Sequence, residues 1–98
     1  MGSYQLSNKA VDDLAKIWEY TFDEWSEKQA DKYYQFLLAT CQDLADNPGF
    51  GKKYEIGIEN LYGYKSNEHI IFFTKLKKEE IEIIRILHGR MDLKNKFK

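Results

Sequence analysis

The stretch "IEIIRILHGRMDL", residues 81–93, decides the fold of this 98-residue chain. Five of its first seven residues are isoleucine or leucine. Such a run is typical of a strand buried on both faces, and isoleucine favours extended backbone. The same run contains Arg85 and His88 and ends at Gly89. The sequence therefore predicts a central last strand whose two polar residues are catalytic, binding or structural.

Side chains alternate between the two faces of a strand. Strict alternation predicts that Arg85 shares one face with Ile81, Ile83 and Leu87, and that His88 shares the other with Glu82, Ile84 and Ile86. Residues 69–76 form a second apolar run, which residues 77–79 connect to the last strand. If the two strands pair as an antiparallel hairpin, His69 and His88 lie at the same end of the sheet.

Two shorter strands are predicted upstream of this hairpin. Tyr54, Ile56 and Ile58 alternate with polar residues or glycine, as in a strand with one solvated face. Residues 61–65 form another short candidate, and residues 66–68 have the composition of a turn. The C-terminal half therefore predicts a meander of three or four strands.

The N-terminal half has helical periodicity. A brief strand over residues 4–6 ends at Ser7, which is a good N-cap residue. The following stripe recurs at steps of three and four residues, with charged residues such as Asp13 assigned to the other side. Its members are Ala10, Val11, Leu14, Ile17, Trp18, Thr21, Phe22 and Trp25.

A second helix is predicted to follow almost without a gap. Ser26 and Gln29 have the spacing of a capping box, and Asn47 precedes a proline, which ends the helix. Its apolar stripe consists of Ala30, Tyr33, Tyr34, Leu37, Leu38, Cys41, Leu44 and Ala45. The fold class is therefore α+β, a single domain over residues 1–98 in which an N-terminal helical hairpin packs on a small antiparallel sheet.

Charge is distributed unevenly along the chain. Residues 1–47 have a net charge of −5 and residues 48–98 a net charge of +4, for a total of −1. A nearly neutral total argues against bulk binding of nucleic acid, while the basic half could present a local surface for anions. With no apolar run long enough for a membrane span or a secretory signal, we expect a cytoplasmic protein without a membrane partner.

Few groups suggest chemistry. Cys41 is the only cysteine and lies on a helical stripe, so we expect a buried thiol. Two histidines without a carboxylate at a suitable spacing do not make a zinc shell, and no cofactor motif is present, so neither metal nor cofactor is predicted. A ribonuclease would need an acid, a base and cations around a phosphate.

The cations and imidazoles of the basic half leave two alternatives open. His88 or His69 could transfer a proton while Lys65, Arg85 and Arg90 stabilise a phosphate. Alternatively the histidines are half-buried structural residues, and Arg85 pairs with a helix carboxylate such as Glu19 or Asp23.

Four segments together resemble the ParE toxins of the RelE/ParE superfamily, which are encoded in bacterial toxin–antitoxin modules. They are "YQLSNKAVDDLAKIWEYTFDEWSEKQADKYY", "LADNPGFGKKY", "GYKSNEHIIFF" and "IEIIRILHGRMDL", and they extend over residues 4–93. The family fold, a helical hairpin against a small antiparallel sheet, agrees with the order of elements predicted above.

The resemblance implies a toxin that poisons DNA gyrase, is not an enzyme, and is neutralised by a ParD-like antitoxin. The RelE branch of the superfamily instead cleaves mRNA on the ribosome, and a relic without toxicity is a third alternative. The tail "MDLKNKFK" lacks a tyrosine, which favours the ParE branch, and no sequence-specific binding to nucleic acid is expected.

The resemblance also suggests two surfaces. We assign binding of gyrase to Lys65, Arg85, His88 and Arg90, together with the tail through Lys98. We assign antitoxin binding to an amphipathic helix that docks near Trp18, Phe22, Tyr33 and Leu37, with an extended segment along an edge of the sheet. The two surfaces are predicted to be distinct.

Overall fold

The computed structural model describes residues 2–97, in which a first strand and two long helices precede the other four strands of a five-stranded sheet. A 3-10 turn at Pro48–Phe50 separates the helices from the strands that follow them. The elements in chain order are β1 Ser3–Leu6, α1 Asn8–Glu24, α2 Glu27–Asp46, β2 Lys52–Tyr54, β3 Leu61–Ser66, β4 His69–Lys77, β5 Glu80–His88 and α3 Leu93–Lys96.

Both long helices begin at the residues that the sequence predicts. The Ser7 hydroxyl accepts a hydrogen bond from the Ala10 N–H at 3.0 Å, and the Ser26 hydroxyl accepts one from the Gln29 N–H at 3.1 Å. These caps satisfy backbone donors that have no partner within the helix. Since only two residues separate α1 from α2, the pair folds back on itself and covers one face of the sheet.

The strand order is β1-β5-β4-β3-β2. Strands β2 to β5 form the predicted antiparallel meander, whereas β1 pairs in parallel with β5, Ser3 lying opposite Glu80 and Leu6 opposite Ile83. The Ser7 N–H donates to the Ile83 carbonyl at 2.9 Å, which ties the start of α1 to β5. The α+β class is confirmed, and the sheet is mixed because the first strand completes it beside the last.

A β-bulge interrupts β5. Phe72 lies opposite Arg85 and Phe73 lies opposite Ile83, so Ile84 is an extra residue in the pairing of β4 with β5. An extra residue inverts the alternation of all side chains that follow it.

The bulge corrects the predicted faces of the last strand. Ile86 packs in the core beneath the helices, whereas Leu87 packs on the opposite face, which is the reverse of strict alternation. The buried core beneath the helices comprises Ala10, Leu14, Leu37, Cys41, Leu44, Ala45, Ile71, Phe73, Ile81, Ile83 and Ile86. Cys41 is buried there as expected, and burial raises the pKa of its thiol to about 12.

The second face of the sheet has its own small core. The strand predicted over residues 54–58 ends at Tyr54, and a turn with positive φ at Gly57 and Asn60 follows it. Ile56 and Ile58 nevertheless pack on this second face, which explains their alternation in the sequence. Its buried members are Leu61, Ile70, Phe72, Leu87 and Phe97.

The C-terminal tail returns to this second core. Phe97 is 6% exposed, and its ring centroid lies 4.9 Å from that of Phe72. Gly57 lies so close that an added Cβ would be 2.5 Å from the Phe97 carbonyl oxygen. Of the tail assigned to target binding, Phe97 is thus buried rather than exposed, and Lys98 lies outside the described residues.

Candidate functional site

Two imidazoles lie side by side at one end of the sheet. His69 on β4 is paired with His88 on β5, and their ring centroids are 5.5 Å apart in an edge-to-face arrangement. This confirms the prediction that both histidines lie at the same end.

Hydrogen bonds fix the orientation of both rings. The Tyr33 hydroxyl lies 2.7 Å from His69 Nδ1, and the Arg90 N–H donates to His88 Nδ1 at 3.1 Å. His88 Nδ1 is therefore a hydrogen-bond acceptor for the backbone of the turn that follows β5. Glu68 Oε2 lies 3.8 Å from His88 Nε2.

The environment of His69 disfavours its charged form. Burial lowers the pKa of His69, and the neighbouring His88 lowers it further, against the opposing effect of Glu68 and Asp13. His69 is therefore suited to a structural contact with Tyr33 rather than to the binding of an anion.

A groove of about 480 Å³ opens between α1 and this end of the sheet. Its walls are mainly apolar, and Lys16 from α1 and Arg90 from the turn after β5 add positive charge to the lining. The lining also includes Asp13, Ile17, Tyr20, Glu68, His69, Ile86, His88 and Met91. The groove thus brings together two of the predicted target-binding residues, His88 and Arg90.

Arg85 is not on a free surface. Its Nε and Nη2 atoms donate to the Asp13 carboxylate at 2.8 and 2.9 Å, and the Ile86 N–H donates to the same carboxylate at 3.0 Å. The two side chains are only 14% and 8% exposed. The hydrogen bond to Asp13 raises the pKa of Arg85, against a smaller lowering by burial.

This ion pair corrects two expectations. Arg85 was assigned to the target-binding surface, but its guanidinium is not free there, because its described side-chain hydrogen bonds go to Asp13. The alternative prediction, that Arg85 pairs with a helix carboxylate, is confirmed, but the partner is Asp13 rather than Glu19 or Asp23. The assignment of Asp13 to the polar side of α1 is therefore wrong, although its spacing of three residues from Ala10 and four from Ile17 indicates the buried face.

Lys65 lies apart from the groove. It is exposed on β3 opposite Ile70, which packs in the second core. Residues paired directly across strands share a face. Lys65 therefore lies on the face away from the helices, whereas His88 and Arg90 line the groove beside α1.

The predicted antitoxin-binding residues differ in exposure. Trp18 is partly buried and stacks on Phe22 at a centroid distance of 5.3 Å, and Phe22 is 45% exposed. Tyr33 is partly buried against His69. The assignment of Leu37 is wrong, because this residue faces the sheet and is 0% exposed.

Two classes of site find no support among the described residues. Within residues 2–97 no group of three or more histidine, cysteine, aspartate or glutamate side chains has a geometry that could hold a metal ion. Over the same residues, none of the helices combines the length and apolar character needed to cross a membrane.

Comparison with known proteins gives consistent matches. A family model for the ParE toxin of the type II toxin–antitoxin system parDE matches residues 4–93. Toxin ParE1 of Caulobacter vibrioides is 38% identical over 96 residues, which cover 94% of each chain.

Solved structures extend the comparison to the fold. A chain of the chromosomal ParDE system from P. aeruginosa superposes with a TM-score of 0.75 at 24% identity, over 90% of this chain and 96% of that one. A chain of the toxin–antitoxin complex RelBE2 from Mycobacterium tuberculosis gives 0.68 at 13% identity, over 89% and 96%. At these identities the two structures show a shared fold alone.

Proposed function

Since the chain belongs to the ParE toxin family of type II toxin–antitoxin systems, we propose that it arrests growth by binding DNA gyrase, without catalysing a reaction of its own. A ParD-like antitoxin neutralises it. The proposal takes the branch of the superfamily that stops replication rather than the branch that cleaves mRNA.

One observation carries the proposal: two of the three cations in the candidate ribonuclease set, Arg85 and Lys65, lie outside the groove that holds the imidazoles. Asp13 holds the Arg85 guanidinium, and Lys65 lies on the other face of the sheet. Cleavage of RNA requires proton-transfer groups and cations around one phosphate. Of the candidate set, only the two imidazoles and Arg90 share the groove.

The proposed target-binding surface is the groove end of the sheet. Arg90 is exposed there, His88 is partly exposed, and Lys16 adds a third basic side chain from α1. These groups suit an acidic surface of a protein, since exposed charges contribute to orientation and association rate. Lys65 contributes a separate basic position on the opposite face.

Two assays on the same preparation test the proposal. Purified protein is added to a gyrase supercoiling reaction and to a translation reaction in which mRNA ends are mapped. We expect inhibition of supercoiling with intact mRNA. Arg90→Ala should weaken the inhibition, while Lys78→Ala, an exposed lysine in the turn at the other end of the hairpin, should not.

The alternative function is ribosome-dependent cleavage of mRNA by a RelE-like mechanism. The adjacent imidazoles of His69 and His88 are the observation that favours it. Site-specific mRNA ends that disappear in His88→Ala, with supercoiling unaffected, would establish this alternative and refute binding of gyrase.

The proposed antitoxin surface retains Trp18 and Phe22 from the predicted set, with Tyr33 only partly accessible. An amphipathic helix of the antitoxin would bury the exposed part of these aromatic side chains. Loss of binding to the antitoxin in Phe22→Ala, with no loss in Val11→Ala on the same helix, tests the assignment. Val11 is 50% exposed and so provides a matched apolar control.

A further inference from the structure

The C-terminal half of α1 and its C-cap carry an aromatic surface. Trp18, Phe22 and Trp25 follow one another at steps of four and three residues along α1 and its C-cap. Phe22 is 45% exposed and Trp25 is 76% exposed. We call these three side chains the aromatic tip.

Two of the three rings, those of Trp18 and Phe22, are held in place before any partner binds. Trp18 stacks on Phe22 with an angle of 21° between the rings, and its Nε1–H donates to Asp31 Oδ1 at 2.9 Å. Because the stacking and this hydrogen bond to α2 orient Trp18 and Phe22, these two rings present a fixed apolar surface.

The segment that carries the aromatic tip is rich in acidic residues. Residues 18–31 contain five acids and one lysine, for a net charge of −4. The five acids are all exposed: Glu19, Asp23, Glu24, Glu27 and Asp31. Within residues 2–97, the first four of them form no ion pair.

Two of these acids are placed against the helix dipole. Asp23 and Glu24 occupy the last turn of α1, which contains no basic residue. Carboxylates at a helix C-terminus are destabilising, because the free carbonyls there carry partial negative charge. Residues that destabilise an element locally are expected where the surface they form serves a function.

We propose that the aromatic tip is the docking surface for a cationic amphipathic helix of the antitoxin. The inference rests on the function proposed above and specifies the chemistry of the partner. Apolar side chains of that helix pack on the rings, while its lysine or arginine side chains meet Asp23 and Glu24. The bound cations also complement the negative end of the α1 dipole.

The spacing of the rings supports a helical partner. Trp18 and Trp25 are seven residues apart, so the ridge they form is about 10 Å long, or two helical turns. A partner helix with apolar residues at steps of three and four can pack along such a ridge. An acidic partner would place like charges against five carboxylates, which is unfavourable.

Intrinsic fluorescence gives a direct assay, because both tryptophans of the chain lie in the aromatic tip. The probe is a tryptophan-free 18-residue amphipathic helix of leucine and lysine. A helix of leucine and glutamate with the same apolar pattern is the control of opposite charge. We expect the lysine helix to shift the emission to shorter wavelength and to protect Trp25 from acrylamide. The glutamate helix should do neither.

Two double variants with the same change in charge locate the binding. Asp23→Lys with Glu24→Lys should weaken binding of the lysine helix about tenfold and reduce its salt dependence. Glu55→Lys with Glu59→Lys, two exposed acids in the turn after β2, should leave the binding unchanged. Equal weakening by both pairs would mean attraction by net charge only and would overturn the proposal.

The antitoxin encoded beside the toxin gives the decisive measurement. We expect the change at Asp23 and Glu24 to accelerate dissociation of the purified toxin–antitoxin complex about tenfold, and the change at Glu55 and Glu59 to have no effect. A complex that is indifferent to the first change overturns the inference and leaves the proposed function standing. If the unaltered chain does not bind the antitoxin, the proposed function itself fails.

Discussion

Replacing Asp13 with asparagine should remove a large part of the stability of the domain. The Asp13 carboxylate accepts three hydrogen bonds, two from Arg85 and one from the Ile86 N–H, in a site where its side chain is 8% exposed. Asparagine has one acceptor oxygen, and its amide would direct hydrogens toward the Arg85 donors. The Arg85 charge would remain nearly buried without a counter-charge.

The expected cost follows from this geometry. Breaking a buried ion pair from one side costs about 3 to 5 kcal/mol. Domains of this kind have a total unfolding free energy of about 5 to 15 kcal/mol. We therefore expect Asp13→Asn to lose about 3 kcal/mol, which corresponds to a fall in Tm of about 12 to 24 °C.

Urea denaturation followed by circular dichroism measures the difference, with Asp12→Asn as the matched control. Asp12 is exposed on the same turn of α1, so its variant should stay within about 0.5 kcal/mol of the parent. A double variant, Asp13→Leu with Arg85→Met, should be more stable than Asp13→Asn, because no unpaired charge remains. A loss below about 1 kcal/mol in Asp13→Asn, or an equal loss in Asp12→Asn, would refute the reasoning.

Three further predictions concern the two cores and the histidine pair. Phe97→Ala should destabilise the domain by about 3 kcal/mol in urea titration, since the ring is 6% exposed, whereas Lys96→Ala should not. Ile86→Ala should cost about 2 to 5 kcal/mol and Ile84→Ala less, because Ile86 is 2% exposed and Ile84 is only partly buried; equal losses would contradict the bulge. The folded pKa of His69 lies below its usual value of 6.5, so the unfolded chain binds a proton first as pH falls, and stability decreases below about pH 6.5. His69→Gln should reduce this pH dependence in thermal melts. An unchanged dependence would count against the lowered pKa of His69 as its cause.

The helical half of the fold could be predicted because its signals are local. Ser7 and Ser26 each cap a helix through a backbone N–H three residues later, so sequence spacing alone locates the start. The apolar period of Leu14, Ile17 and Leu37 likewise indicated the packed faces. The pairing of His69 with His88 followed from two strands joined by a short turn.

The candidate site was harder to predict, because its geometry depends on distant contacts. One extra residue at Ile84 exchanged the faces of Ile86 and Leu87, and periodicity does not report a bulge. Arg85 found its partner 72 residues away in Asp13. The burial of Phe97 likewise depends on Phe72 and on the turn at Gly57, so the residues adjacent to it in the sequence do not indicate its burial.

The parallel pairing of β1 with β5 has a consequence during synthesis on the ribosome. The Ser7 hydroxyl donates to the Ile84 carbonyl at a separation of 77 residues. Strand pairing between such distant segments forms late and slowly. Strand β5, Glu80–His88, lies between β1 and β4 in the sheet. A nascent chain that lacks β5 therefore offers β1 no strand to pair with and leaves one edge of β4 unpaired. The complete sheet can therefore assemble only after β5 has been synthesised, and products terminated before β5 cannot acquire this fold.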